Sequence, residues 1–308
     1  MSSAVSMKQV AKQAGVSAMT VSHVLRGTGR ISDATRQRVQ ETALALGHRP
    51  NRSAQSIRRQ RFGNVALVLS DDPSRSATSA GLMMGIHRGL ARHRLHLSTA
   101  ELDDDRLSSE DYVGDMLHAL SADGLLLNYK WQTPPRLVEL IERHRIPAIW
   151  LSVERDTDAV YPDIEQGVAD ATDRLIALGH RKITLVLPRG GEAELEPEQI
   201  HYSRTAGPRG YDRALTAAGL SRRAIQHGGS EEELQALLRG PDRPTALICQ
   251  GIHVVPRARI AAAASGLDVP GDVSIVAVSH DTHDHLGLPF AQSVMPAAET
   301  GDIGVDML

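Results

Sequence analysis

Apolar residues in the first fifty positions recur at helical spacing. Met7, Val10, Ala11 and Ala14 fall at i, i+3, i+4 and i+7, which sets them on one helical face. Ser6 and Gln9 have the spacing of a capping box at its start, and Gly15 permits the sharp turn that ends it. Ser17 caps a second predicted helix, in which Val21, Val24 and Leu25 face inward. Ala18, Met19, Ser22 and His23 are left on its solvent side. A third helix is expected from after Ser32 to Leu46, burying Val39, Ala43 and Leu46, with Gly47 ending it and Pro50 punctuating the exit. Residues 51–61, NRSAQSIRRQR, hold almost no core-forming side chains; they read as a linker or as a short helix that forms only on a partner.

After Gly63 the period changes. Short apolar runs at Val65–Leu69, Gly124–Leu127, Ala148–Leu151, Ile183–Leu187, Ala246–Cys249 and Val273–Val278 predict strands. Helix-period stretches lie between them, near 78–92, 107–120, 135–144, 165–178, 209–218, 231–239 and 254–265. Continuous apolar strands alternating with amphipathic helices indicate parallel sheets covered on both faces. That much of the pattern suggests two lobes meeting near Tyr161–Pro162–Asp163, with a ligand cleft beyond the carboxyl ends of their strands.

Charge sharpens the division. Residues 1–61 hold eleven Lys or Arg and two acids, a net +9; the remainder holds 23 basic and 35 acidic residues, a net −12. The overall −3 conceals this. Two helices joined by a tight turn in a basic segment form a helix-turn-helix, which sets the start of its second helix in the DNA major groove. A purely structural helical hairpin would not carry that charge.

Other function classes lose ground. No run approaches the roughly 20 apolar residues of a membrane helix, and the N-terminus has no secretory apolar region, so a cytoplasmic protein is expected. The single cysteine, Cys249 in TALICQG, excludes an intramolecular disulfide and reads as a buried structural thiol. There is no P-loop, no GxGxxG fingerprint and no nucleophile with a positioned base, and no cofactor is expected. His280, Asp281, His283, Asp284 and His285 carry metal-ligand side chains, but no C-x-x-C or HExxH accompanies them; they read as a solvated loop at the cleft edge. Glu101, Asp103, Asp104 and Asp105 read as another solvated loop. No metal site is assigned.

The stretches VAKQAGVSAMTVSHVL, ISDATRQRVQETALALGHRPN, LIALGHRKITLVL, RPTALI and VPGDVSIVAVS resemble, in order and spacing, the lactose/galactose repressor family of bacterial transcription regulators. The resemblance runs over essentially the whole chain. It implies a helix-turn-helix domain at 1–50, a hinge helix or linker at 51–62, and a body at 63–308 like the periplasmic sugar-binding proteins. Within that body, lobe 1 is expected over about 63–162 plus 293–308, and lobe 2 over 163–292. The expected fold is thus an α helix-turn-helix head on an α/β two-lobed body with parallel sheets. The resemblance also implies a homodimeric repressor that binds a pseudo-palindromic double-stranded operator and is controlled by a small-molecule effector in the interlobe cleft, with no membrane partner.

By position, Ala18, Met19 and His23 occupy base-reading places, and Ser6, Ser17, Thr20, Ser22, Arg30, Ser32 and Thr35 backbone-contacting ones. Short hydroxyls and arginines suit the latter role, fixing register without reading sequence. Ala18 and Met19 offer apolar contact, for example to a thymine methyl, whereas His23 can hydrogen-bond a purine edge. An arginine is commoner in the family where His23 stands, so the base preference should differ. Asn51–Arg58 match the hinge helix, with Asn51, Ala54, Gln55 and Ile57 at contacting places. Ile57 stands where the family wedges a leucine into the minor groove, and its β-branch makes it stiffer.

The cleft departs most from the family. Ser152 replaces a frequent aspartate, and Gly207 an arginine three residues before Gly210–Tyr211. Gly251–Ile252 replace Asn-Asp, and Ser279–His280 replace Asp-Asp. Those lost groups hold sugar hydroxyls, so a standard hexose is not expected. Either another ligand binds through Tyr129, Trp131, Ser152, His201, Tyr202, Ser279 and His280, or the cleft has no effector; we favour the ligand. Tyr129 and Trp131 are stacking candidates. Thr300–Leu308 match the start of a longer helix in that family, so the chain is either truncated or ends early by nature. A solute-binding protein and an enzyme on a small polar metabolite are the competing readings; the basic head argues against the first, and only the cleft and the histidine run support the second.

Overall fold

The computed structural model describes residues 5–48, 61–104, 106, 122–130, 132–188, 201–227, 230–280 and 290–308. The hinge positions Asn51, Ala54, Gln55 and Ile57 lie outside them, as do Asp105, the helix expected at 107–120, Trp131 and the run Asp281–His285. The chain divides into two compact units, Met1–Phe62 and Gly63–Leu308.

Among the described residues every helix of the first unit starts on a serine. Ser6 caps α1 (Met7–Ala14) and closes a capping box with Gln9, Ser17 caps α2 (Ala18–Arg26), and Ser32 caps α3 (Asp33–Ala45). Each hydroxyl satisfies an N–H that a first helical turn leaves unpaired. Gly15 ends α1 at φ 65°, a left-handed backbone that only glycine adopts without steric cost. The apolar faces meet in one small core of Val10, Ala11, Ala14, Val21, Val24, Val39 and Ala43, with Leu25 and Leu46 packed at its margin.

The second unit holds two five-stranded sheets among the described residues, every pairing parallel. The first takes β1 (Asn64–Ser70), β2 (His96–Leu102), β3 (Gly124–Leu127), β4 (Ala148–Leu151) and β5 (Ala159–Val160) in the order β2-β1-β3-β4-β5. The second takes β6 (Ile183–Leu187), β7 (Gln226–His227), β8 (Ala246–Gln250), β9 (Ser274–Ser279) and β10 (Ala291–Val294) in the order β10-β9-β8-β6-β7. The chain also forms α4 (Pro73–Ser76), α5 (Ala80–His93), α6 (Pro135–His144), α7 (Ile164–Ala177), α8 (Ser203–Ala217), α9 (Glu231–Arg239), α10 (Val254–Ala264) and α11 (Ala297–Met307).

Strand side chains alternate between faces, and here both faces are buried. Val65, Leu67, Leu126, Ile149 and Leu151 pack with α5 and α11, while Ala66, Val68, Leu125, Leu127 and Trp150 pack with α6. In the second sheet Ile183, Leu185, Leu187 and Ile248 meet α7 and α8, and Val186, Leu247, Cys249, Ile275 and Ala277 meet α9 and α10. Cys249 is fully buried, and burial pushes its thiol up to about 12.

The chain leaves the first sheet after β5, passes through Tyr161–Asp163 and enters α7. It returns after Val294 rather than at 293, because Ser293 and Val294 still pair with Val278 and Ser279 of β9. The returning α11 lies close on α5: a Cβ on Gly85 would overlap the Ala298 carbonyl, and one on Gly301 would overlap the Leu82 carbonyl. Among the described residues no helix is long and apolar enough to cross a membrane.

Candidate functional site: nucleic-acid interface and ligand cleft

The start of α2 presents the side chains expected to read bases. Val21 and Val24 turn inward and are at most 2% exposed, whereas Met19 is 71% exposed and Ala18 is exposed beside it. The Thr20 amide donates to Ser17 Oγ at 3.1 Å, and the two hydroxyls lie 2.9 Å apart. His23 is half-buried, with Nδ1 3.2 Å from Thr28 Oγ1 and its ring backed by Gly29 at φ 81°. That contact holds the imidazole against Thr28.

The hydroxyls expected on the DNA backbone already have work as helix caps. Ser6 Oγ accepts from the Gln9 amide at 3.4 Å, and Ser32 Oγ accepts from Thr35 N at 3.4 Å while donating to Thr35 Oγ1 at 2.9 Å. Capping and phosphate contact are compatible, since both use the positive end of the helix dipole. Arg30 is exposed. Ser22 is half-buried on α2.

In the second unit a cavity of about 640 Å³ opens between the carboxyl ends of the two sheets. Ser152, His201, Tyr202, Ser279 and His280, all expected there, line it. Ser152 follows β4 at φ 62°, a conformation that costs a non-glycine residue on the order of 1 kcal/mol. Its amide donates to the Val160 carbonyl at 2.9 Å, and its own carbonyl accepts from His201 Nε2 at 3.0 Å. His201 Nδ1 lies 2.8 Å from Ser203 Oγ. Burial pushes His201 down to about 4 against the carbonyl's opposing pull, so the ring is neutral near pH 7. The Tyr202 hydroxyl donates to the Pro162 carbonyl at 3.0 Å, its ring meets Tyr161 edge-on at 5.3 Å, and burial raises its pKa. His201 and Tyr202 thus tie the second lobe to the first lobe and to the crossing segment.

Tyr129 is not in the cleft. It is fully buried under the first sheet, and its hydroxyl donates to Asp104 Oδ1 at 2.9 Å. Leu125, Leu127 and Tyr129 share one face of β3 and its extension, which turns Lys130 to the cavity instead. Nor is Asp104 part of a solvated loop: its carboxylate also takes Ser70 Oγ at 2.6 Å and Arg75 Nη1 at 2.8 Å, with 10% of the side chain exposed.

The cavity wall includes residues the sequence reading missed: Lys130, Arg204, Gln250 and His253. Gln250 is 6% exposed; its Nε2 donates to the Ser203 carbonyl at 2.8 Å, and its Oε1 has no partner. Gly207 makes room for it, since a Cβ there would overlap Oε1. A larger side chain at that place would require Gln250 to move. Gly251 follows at φ 100°. No group of three or more potential metal ligands occurs among the described residues.

Residues 6–51 match the family of bacterial regulatory proteins of the lacI type, and residues 172–308 match the periplasmic binding protein-like domain. The chain is 26% identical over 313 residues to the HTH-type transcriptional repressor PurR of Aliivibrio salmonicida, covering 98% of this chain and 90% of that protein. It is likewise 26% identical to the ribose operon repressor of Haemophilus influenzae, again covering 98% and 90%. It is 29% identical over 318 residues to the HTH-type transcriptional regulator CelR of Thermobifida fusca, covering 96% and 88%. In fold it is similar to the lac repressor dimer bound to operator and the anti-inducer ONPF, with a TM-score of 0.78 at 23% identity, covering 98% of this chain and 91% of that one.

Proposed function

Because the chain belongs to the lacI family of bacterial regulatory proteins, we propose that it acts in the cytoplasm as a homodimeric repressor, controlled by a small molecule in the cleft between its lobes. It is a DNA-binding transcriptional regulator, as its relatives are. The observation that carries the finer reading is the exposed start of α2. Ala18 and Met19 stand clear of the core with His23 braced behind them, in a segment of net charge +9. In this reading Ala18, Met19 and His23 read bases, while Ser6, Ser17, Thr20, Ser22, Arg30, Ser32 and Thr35 set register on phosphates. Asn51, Ala54, Gln55 and Ile57 complete the contact in the minor groove. Ser152, His201, Tyr202, Ser279 and His280 belong to the effector cleft. The enzymatic reading has no support in a family of regulators.

Selection of randomised duplex DNA by the purified chain tests this. We expect a pseudo-palindrome whose half-sites lie about one helical turn apart or a multiple of it. Recovery of isolated half-sites would sink the dimer, and recovery of no motif with or without candidate effectors would sink specific binding. Met19→Ala should relax one position in each half-site, at a cost of about 1–3 kcal/mol against the preferred base.

A further inference from the structure

We infer that Thr28 is a specificity-determining residue for DNA: its hydroxyl positions His23 so that the ring donates from Nε2 to the acceptors of a guanine. This rests on His23 reading a base. Thr28 lies just beyond α2, which ends at Arg26. Gly27 turns the chain at φ 68°, its amide donating to the Val24 carbonyl at 3.1 Å, and the Thr28 amide donates to the His23 carbonyl at 3.0 Å. These two bonds close the helix end with backbone atoms alone, so they need no hydroxyl. In such a closure the side chains at the places of Thr28 and His23 frequently make an apolar contact. Here they make a hydrogen bond instead, with Thr28 Oγ1 3.2 Å from His23 Nδ1. Gly29 follows at φ 81°, and a Cβ on it would stand 3.3 Å from the same nitrogen. The imidazole thus lies against Thr28 on a hydrogen bond and against Gly29 where a side chain is missing.

The bond decides which nitrogen a base can meet. His23 stands one helical turn after Met19, which is 71% exposed. With Nδ1 engaged by Thr28, the nitrogen left for DNA is Nε2, which has no hydrogen-bond partner among the described residues. A threonine hydroxyl both donates and accepts, so it pairs with Nδ1 whether or not that nitrogen carries a proton. Nε2 carries one both in the Nε2–H tautomer and in the imidazolium. The negative field of the phosphates favours a donor there over a lone pair. Guanine offers two acceptors on its major-groove edge, O6 and N7, whereas adenine sets an amino donor beside its single N7. Without the Thr28 hydroxyl the ring can turn over, and nitrogen and carbon edges then compete for the same base. Discrimination falls while the helix end, held by its backbone bonds, stays closed.

Titration of the full chain against its selected operator, with every base pair substituted in turn at each half-site position, tests this. Thr28→Val keeps the β-branch and removes the hydroxyl. It should cut discrimination for a G·C pair at one position of each half-site about fivefold or more, with affinity for random duplex and the thermal midpoint unchanged. His23→Ala should relax the same position, and adding Thr28→Val to it should change nothing further, since Thr28 acts through the ring. Thr28→Ser, which keeps the hydroxyl, should retain the preference. Unaltered discrimination in Thr28→Val, an equal loss in Thr28→Ser, or a further loss on the His23→Ala background overturns the inference. So does an A·T preference at the His23-dependent position, or a uniform loss over all sequences with a lowered thermal midpoint, which would assign Thr28 to the stability of the turn. If His23→Ala relaxes no position, base reading by His23 falls and Thr28 falls with it. If His23→Ala relaxes a position that Thr28→Val leaves alone, base reading stands and only the role of Thr28 is lost.

Discussion

His201 is held neutral by burial while it donates from Nε2 to the Ser152 carbonyl. Its pKa falls from 6.5 in the unfolded chain to about 4 in the folded one, so between those values the unfolded chain binds the extra proton. Stability is therefore full above about pH 6.5 and declines as the pH drops toward about 4, by on the order of 2 kcal/mol after allowing for the ring's partial exposure. Urea unfolding at about pH 7.5 and about pH 5 should show the decline, and His201→Gln should flatten it. An equal pH slope in that variant would remove His201 as the cause. Tyr129 gives a second test. Tyr129→Phe removes a hydrogen bond to a carboxylate and should cost about 1–3 kcal/mol without changing ligand affinity, whereas a stacking residue would lose affinity and little stability. In the sequence Tyr129 reads as a stacking candidate because aromatic residues are scarce and it follows the apolar run at 124–127. Its partner Asp104 lies 25 residues away in the chain, past the end of β2, which β1 separates from β3, a pairing no local pattern reveals. Strand alternation counted from Leu125 was the available signal, and it puts Tyr129 inside and Lys130 out.

At the scale of elements, α5 and α11 approach closely, where Gly85 and Gly301 let one backbone rest on the other. Gly85→Ala forces its Cβ into the Ala298 carbonyl, which cannot retreat as a side chain would; the expected loss is about 3 kcal/mol or more. Thermal unfolding would show it as a clear fall in midpoint, and an unchanged midpoint would mean that the two helices can separate at little cost. The core strands β1, β3, β4, β6, β8 and β9 were legible because both of their faces are buried and they read as unbroken apolar runs. The strands that escaped, β2, β5, β7 and β10, are the four sheet edges. The longest of them, HLSTAEL in β2, is mostly half-exposed or exposed and carries no such run. The start of α8 was missed for a different reason. Pro208 reads as a helix breaker, yet it sits within Ser203–Ala217, so the helix begins a turn and a half earlier and brings Tyr202–Arg204 to the cleft. Gln250 was overlooked because the apolar run ends at Cys249, one residue before the strand does.

At the scale of the whole molecule, the residue identities alone separate a segment of net charge +9 from a remainder of −12, and this division governs how DNA binding responds to salt. Each phosphate neutralised releases condensed counterion, so log affinity falls with log salt by about 0.9 per contact. A dimer in which each basic segment meets at least four phosphates should therefore show a slope of about −7 or steeper. Arg30 is exposed, and Arg30→Gln on both copies should make the slope shallower by about 2 while weakening all sequences alike. Lys130→Gln, in the cleft, should leave the slope of the ligand-free protein unchanged, because its charge lies in the ligand cavity. Operator titrations from about 50 to 200 mM salt measure all three slopes. A wild-type slope shallower than about −3 would contradict phosphate contact by the basic segments. A slope altered by Lys130→Gln would mean that this cavity cation acts directly on DNA.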